Sequence, residues 1–335
     1  MNRSMEIMNE VKKLNLGRSE IKVTKIGLGC WQFSGGSGGV GGRYWSKLSP
    51  EFMNEIVKVA LEGGINWFDT AEAYGAGKSE RNLANALHAA GMKNSDVIIA
   101  TKWWPFPRRA GSIRKTIDKR LDYLDGFGID LYQIHQSFSL SSTKAQMDAM
   151  ADLVKDGKIR SIGVSNWSAK KMRRGFEILE EKHGLPLVSN QVKYNLIDRK
   201  IETNEILETA KELGITIIAY SPLEQGLLTG KFHKDPSLIK KLGRMRKMMS
   251  FGLRSKKKLK RTQSLIDALE EIAQAHNVTP AEVSLNWLIN FHGDAVVAIP
   301  GASKVSHIAQ NIGAMHVKLS KDEMSQIDEL TKQYM

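Results

Sequence analysis

Eight short apolar runs alternate with stretches of helical periodicity along the 335 residues, and no Gly-x-Gly-x-x-Gly opens a helix after the first run. Alternation of this kind calls for parallel strands joined by helical crossovers. The number of repeats and the missing dinucleotide fingerprint favour a closed (β/α)8 barrel of the TIM type over two open sheets. The expected fold is therefore α/β, one barrel domain over residues 1–335. Residues 1–20 would be an N-terminal extension, 221–261 a long basic loop after strand seven, and the C-terminus would add extra helices.

The strand candidates, in order, are 24–28, 66–69, 97–101, 131–135, 161–164, 187–191, 216–220 and 296–300. Between them apolar residues recur at three- and four-residue spacing, as in Phe52, Ile56, Val59 and Ala60, or Ile113, Ile117, Leu121 and Leu124. Ser49-Pro50-Glu51 gives a capping serine, proline at the first helical position and an acid in the first turn. "NVTPAE" at 277–282 repeats that start. Gly63-Gly64, Gly157, Gly184 and Gly214 close helices ahead of the next strand. The Gly-rich 34–42, "SGGSGGVGG", lacks the lysine-serine pair of a phosphate loop and reads as a flexible connection.

Composition narrows the class. The hydrophobic share of 41% and charged share of 25% are those of a soluble globular chain. A single cysteine, Cys30, rules out an intrachain disulfide. No window approaches the roughly 18 uninterrupted apolar residues of a membrane span. The first residues lack the continuous apolar core of a signal peptide. A cytoplasmic location is expected. The formal charge of +13 is local, because 240–261 holds 11 Lys/Arg and no acid, leaving the remainder near +2. Such a run reads first as a solvated face; specific nucleic-acid binding is not expected, since no base-stacking aromatics are interleaved with the charges.

Barrel chemistry collects at the C-terminal ends of strands. In "INWFDTAEAYG", Asp69 ends the second strand and Tyr74 follows in the loop; Lys102 ends the third strand and His135 the fourth. Alternation puts Trp67 with Asp69, Ala100 with Lys102, and Gln133 with His135 on shared faces. Taken singly, each has a structural role available: a cap, a salt bridge, a core histidine, a packed aromatic. Four complementary groups at one barrel end point to a general acid. A phenol near pKa 10 is a weak donor at neutral pH, and an ammonium beside it is expected to lower that value. Asp69 would hold Lys102, and His135 would orient a carbonyl whose oxygen takes the proton; a cofactor must bring the hydride.

The motifs "FDTAEAYG", "SERNLANAL", "TK", "DLYQIH", "IGVSN", "AYSPLEQGLLTGK" and "IPGASKVSHIAQN" stand in this order from about residue 21 to about residue 330. Together they resemble the aldo-keto reductase superfamily, in the branch with bacterial aldo-keto reductases, pyridoxal reductases and potassium-channel β-subunits. The resemblance implies Asp69, Tyr74, Lys102 and His135 as the catalytic tetrad and NADP(H) as cofactor. It also implies that Ser165, Asn166 and Gln191 hold the nicotinamide carboxamide and that Tyr220 stacks on the ring. Ser221, Leu223, Gln225, Gly226 and Lys231 would surround the pyrophosphate, Gly301, Ser303 and Lys304 the 2′-phosphate, and Gln310 and Asn311 the adenine. Trp31 would border cofactor and substrate, with Trp103 and Trp104 as further pocket walls. No metal site is implied. His307 and Gln310 depart from the Gln/Arg and Glu usual at their positions, and "HQSF" lacks the proline that often follows the histidine. The implied reaction is reduction of a small aldehyde or ketone to an alcohol; an NADPH-binding regulatory subunit is the alternative. Oligomeric state is left open.

Overall fold

The structure is a computed structural model, described here over residues 11–36, 44–242 and 255–335. Its main sheet has eight parallel strands, each hydrogen-bonded to its neighbour in chain order. They are β3 (Leu28–Gly29), β4 (Trp67–Asp69), β5 (Ile98–Trp103), β6 (Leu131–Ile134), β7 (Ser161–Ser165), β8 (Leu187–Lys193), β9 (Thr216–Tyr220) and β10 (Val296–Ala298). The sheet closes on itself. Gly27 N–H donates to Ala298 O at 2.9 Å, Ala298 N–H to Lys25 O at 2.9 Å, and Gly29 N–H to Pro300 O at 3.2 Å. The (β/α)8 barrel expected from the alternation is therefore the observed architecture.

The first expected strand, 24–28, is corrected. Its start belongs to a separate antiparallel hairpin of β1 (Lys13–Asn15) and β2 (Lys22–Thr24). Leu14, Leu16, Ile21 and Val23 from this hairpin pack with Trp67, Ala100, Leu131, Val188, Ile218 and Val297 inside the barrel. Residues 13–20 are thus part of a plug in the barrel's N-terminal mouth rather than an appended extension. Gly17 sits at the turn with φ +55°, where a Cβ would lie 2.3 Å from Val188 O, and its N–H donates to Thr216 Oγ1 at 2.7 Å. Strands of three residues are too short to show a period of two, so the hairpin leaves little trace in the sequence.

Helices α1 (Pro50–Glu62), α2 (Lys78–Ala89), α3 (Gly111–Leu124), α4 (Thr143–Lys155), α5 (Ala169–His183) and α6 (Ile206–Leu213) surround the barrel with their apolar stripes inward. The expected caps form: the Ser49 side chain accepts from Phe52 N–H, and Thr279 and Glu282 make a capping box. The long loop after β9 holds more regular structure than expected. It carries 3-10 turns at Glu224–Thr229 and Pro236–Lys241, and a short α7 (Lys231–Lys234). Its last residues are already the first turns of α8 (Lys256–Ala275), capped by Ser255. Most of the basic run, 243–254, lies outside the described residues, as does 37–42 of the Gly-rich stretch. Helices α9 (Pro280–Asn290), α10 (Val305–Gly313) and α11 (Lys321–Thr331) complete the chain. No described helix is long and apolar enough to cross a membrane.

The C-terminal helix is held by one buried cation. Arg199, fully buried, donates to both Glu202 oxygens at 2.7 and 2.6 Å, to Asp328 Oδ1 at 2.7 Å and to Thr331 Oγ1 at 2.7 Å. Its guanidinium also lies 4.9 Å from the Trp287 ring centre. Removing one partner of a buried pair strands the other charges at a cost of roughly 3–5 kcal/mol. Arg199→Ala should therefore lower unfolding stability by that amount in urea titration; a loss below about 1 kcal/mol would contradict the clamp.

Candidate active site

The parallel register places the site. β4 pairs Asp69 with Ala100 of β5, and β5 pairs Lys102 with Gln133 of β6, so three adjacent strands present polar side chains at one end. Lys102 Nζ donates to Asp69 Oδ1 at 2.5 Å and to Thr70 O at 2.8 Å. The other carboxylate oxygen of Asp69 accepts from Gln191 Nε2 at 2.8 Å and Gln133 Nε2 at 3.2 Å. Lys102 is 0% and Asp69 1% exposed, so the pair is dry and hydrogen-bonded on both sides. Above it, the Tyr74 ring centre is 5.2 Å from Lys102 Nζ, edge-on to His135 at 5.5 Å, and stacked on Trp31 at 5.9 Å.

Burial sets the ionisation states. It lowers the Lys102 ammonium, with Asp69 opposing, and holds His135 well below the ordinary histidine range, with Lys102 adding to the effect. His135 is thus a neutral imidazole at pH 7. Tyr74 departs from the sequence expectation: its phenol is pushed well above 10, by burial first and by Asp69 next. The expected lowering is not met: the charged neighbour that acts most on the phenol is Asp69, which adds to the rise. Tyr74 is a proton-loaded phenol.

These groups floor a cavity of about 410 Å³. Trp31, Tyr74, Trp104 and His135 form one end, with Ser165, Asn166, Gln191 and Tyr220 beside them. The wall continues through Ser221, Leu223, Gln225, Gly226 and Lys231 to Gly301, Ser303, Gln310 and Asn311 at the far end. His307 lies there too, its Nδ1 accepting the Ser303 N–H at 3.4 Å. Three expected residues do not line it. Lys102 lies beneath the floor, consistent with a role through Tyr74. Lys304 is exposed at the N-cap of α10, beside Ser303. Trp103 is a correction: alternation turns it away from Lys102 into the layer between barrel and helices, fully buried, where its indole N–H donates to Ser112 Oγ at 3.0 Å.

Other residues in or behind the cavity wall left no sequence signal. Trp45 lies edge-on to Trp31 at 5.6 Å, and Tyr44 stacks on Trp31 at 4.9 Å while its hydroxyl bonds Gln225, joining two walls. Glu72, between Asp69 and Tyr74, accepts from the Trp104 N–H and the Arg108 guanidinium and so ties the Tyr74 loop to the loop after β5.

The shape and donor set suit a long anionic ligand. Ser221, Glu224, Gln225 and Gly226 all have positive φ, at 52°, 44°, 56° and 91°, a turn of backbone typical of anion-holding loops, and Lys231 adds a cation. At the far end the buried Asn311 Nδ2 has no hydrogen-bond partner among the described residues. At the near end Tyr220 OH donates to Asn166 Oδ1 at 3.0 Å, fixing an amide beside His135. These features fit a nicotinamide dinucleotide laid across the cavity.

A closed barrel with an aspartate-lysine pair under a tyrosine and a histidine, beside a dinucleotide-shaped cavity, defines an oxidoreductase-type site. The family model described as Aldo/keto reductase family matches residues 25–332, and the chain belongs to that family. An uncharacterised oxidoreductase of Mycobacterium tuberculosis is 37% identical over 304 residues, covering 89% of this chain and 86% of the relative. The chloroplastic pyridoxal reductase of Arabidopsis thaliana is 31% identical, covering 96% and 86%. Among solved structures, a thermostable aldo-keto reductase in complex with the inhibitor epalrestat matches with TM-score 0.74 at 32% identity, over 95% of this chain and 99% of that one. The glycerol dehydrogenase of Gluconobacter oxydans matches with TM-score 0.80 at 26% identity, over 98% and 97%. The protein is thus an aldo-keto reductase family oxidoreductase, a family that generally binds nicotinamide cofactors.

Behind the site lies a second buried acid. Glu80 on α2 is 0% exposed; its Oε1 accepts from Thr101 Oγ1 at 2.7 Å, and its Oε2 lies 3.0 Å from Arg120 Nη1 without a hydrogen bond. Burial raises its carboxyl to about 7, against the opposing pull of Arg120 and Thr101. The folded state therefore keeps this proton at pH values where the unfolded chain has lost it. Stability should fall as pH rises from 4.5 to about 7, by roughly 3 kcal/mol, and level off above. Glu80→Gln should remove that decline in unfolding free energies measured from pH 4.5 to 8; an identical slope in both proteins would contradict it.

Proposed function

We propose that the protein is an NADP(H)-dependent reductase of aldehydes and ketones with Tyr74 as general acid. The observation that carries this is the dry Asp69–Lys102 pair set beneath a protonated Tyr74 and a neutral His135 at the floor of one cavity. The cofactor, when bound, supplies the hydride.

The chain's own residues do the rest. Neutral His135 offers a ring N–H to the carbonyl oxygen, which orients the substrate without adding a charge. Trp31 and Trp104 wall the site and keep water from the reacting carbon. As negative charge builds on the substrate oxygen, Tyr74 gives up its proton, because an alkoxide is a stronger base than even a destabilised phenolate. The phenolate left behind faces Lys102, whose ammonium stabilises it, while Asp69, Gln133 and Gln191 keep the pair in place. Ser303 in the cavity wall and Lys304 beside it support a phosphorylated adenosine, hence NADPH over NADH. Catalysis stands ahead of the regulatory-subunit reading because the acid and the orienter both line open space, with the tuner buried beneath them.

Tyr74→Phe should leave NADPH affinity within about threefold and cut carbonyl reduction by roughly 10²–10⁴. NADPH absorbance decay with an aldehyde panel, alongside a fluorescence titration of NADPH binding, reads both. Turnover equal to that of the unaltered protein would overturn the assignment.

A further inference from the structure

We propose that the catalytic cavity continues outward into an apolar subsite, built by Trp104, Phe106, Phe138 and Leu140, which receives an aromatic or long aliphatic substituent of the substrate. It rests on the carbonyl-reductase reading for the position of the reacting carbon.

Three of these side chains are exposed where water would ordinarily be met by polar groups: Phe106 and Phe138 are 50% and Leu140 49% exposed. Among the described residues the one other large hydrophobic so exposed is Met335, at the far terminus of the chain. Phe106 and Phe138 stand ring against ring, and Leu140 follows two residues after Phe138 in the same loop, a grouping that marks a binding surface rather than scattered surface apolarity. The cluster is continuous with the catalytic floor. Trp104 lines the cavity and stands edge-on to His135 at 5.2 Å; Phe138 lies 6.2 Å from Trp104, and Phe106 6.0 Å from Phe138. A row of rings thus runs from the carbonyl-orienting histidine to solvent.

The two loops that carry the row follow β5 and β6, the strands that deliver Lys102 and His135, so a substrate with its carbonyl on His135 projects its remainder along them. The loops are joined. Ala110 N–H donates to Ser141 Oγ at 2.9 Å, and Ser139 Oγ accepts the Ser141 N–H at 3.2 Å, so these hydroxyls already serve the fold. The nearby cations are also engaged: Arg108 bonds Glu72 and Trp104 O, and Lys171 bonds Ser137 O over the Trp167 ring. Arg109 stays exposed on the same loop. Hydroxyls of a polyol laid on this path would lose water against ring faces that return no hydrogen bond. An apolar tail would gain by displacing water from both itself and the rings.

The test is a series of straight-chain aldehydes from three to ten carbons, with glyceraldehyde and a carboxylate-ended aldehyde as polar arms. Turnover is followed with NADPH. Binding of the matching alcohols to the NADP-loaded protein is followed by tryptophan fluorescence, which needs no turnover. The expected result is a rise in kcat/KM and in alcohol affinity of about two- to fourfold per methylene, from half to full burial, and a flatter slope in the Phe138→Ser/Leu140→Ser double variant. Both positions are exposed loop residues, so folding is checked simply by the thermal midpoint. A flat slope in the unaltered protein, a preference for either polar arm, or an unchanged slope in the double variant would overturn the subsite. So would a dimer in sedimentation that the double variant converts to monomer, since the rim would then join two copies. Alcohol binding with the expected slope but no aldehyde turnover would sink the reductase reading and leave the apolar subsite standing.

Discussion

A lysine ammonium with no exposure to water is the constraint around which this molecule is organised. Leaving it charged in that position costs far more than a surface salt bridge returns, unless a carboxylate and further hydrogen bonds meet it. Asp69 supplies the carboxylate, Thr70 a carbonyl, and Gln133 and Gln191 the donors that satisfy the carboxylate's second oxygen. Those groups come from β4, β5, β6 and β8. No single hairpin or helix could bring them together; a barrel in which strands converge at one mouth does so by its topology. The closure at Gly27, Gly29 and Ala298, and the hairpin that plugs the opposite mouth, therefore bear on the charge pair as directly as its own neighbours do.

The same dryness shapes the surroundings. Burial, not the local sign of charge, is the leading influence on Lys102, His135 and Tyr74 alike. It favours a neutral imidazole and a protonated phenol, the states from which an oxygen can be oriented and then protonated. Glu72 extends the arrangement sideways: by holding the Trp104 N–H and Arg108 it fixes the segment between Asp69 and Tyr74 against the loop after β5. The Tyr74 loop and the wall of the pocket are thus parts of one hydrogen-bonded unit.

Most of the architecture was legible because a parallel strand buried on both faces leaves an apolar run, and the expected 216–220 coincides with β9. That Asp69, Lys102 and His135 meet at one end of the barrel was legible for a related reason: a polar residue that ends such a run has nowhere to go but the mouth. Trp103 was misplaced although the alternation that aims Lys102 inward already aims its neighbour outward; Trp104, one residue past β5, is released from that parity and turns back to the cavity. The β1–β2 plug was illegible because "KLN" and "KVT" are shorter than any pattern. Trp45 and Tyr44 reach the site from an irregular loop, where periodicity carries no information. The direction of the Tyr74 shift could not be read at all, since it depends on how closely Asp69 shadows Lys102, a matter of distances rather than residue types.

That direction bears on the protonation state in which the proposed reaction begins. Alcohol oxidation asks Tyr74 to receive a proton, so it must start as phenolate; carbonyl reduction asks it to donate, so it must start as phenol. Burial and Asp69 place it firmly in the second state across the neutral range. A free ammonium under the phenol would pull the balance the other way; here burial leads the rise and the Asp69 carboxylate adds to it. In the proposed reaction the Lys102 ammonium limits how far burial destabilises the phenolate, so that the proton can leave. An interaction that is weak in the ground state and strong in the product of proton transfer is the kind that speeds a step rather than merely binding its reactant. The carboxylate that makes a buried lysine tolerable thus adds to burial in keeping the Tyr74 phenol protonated.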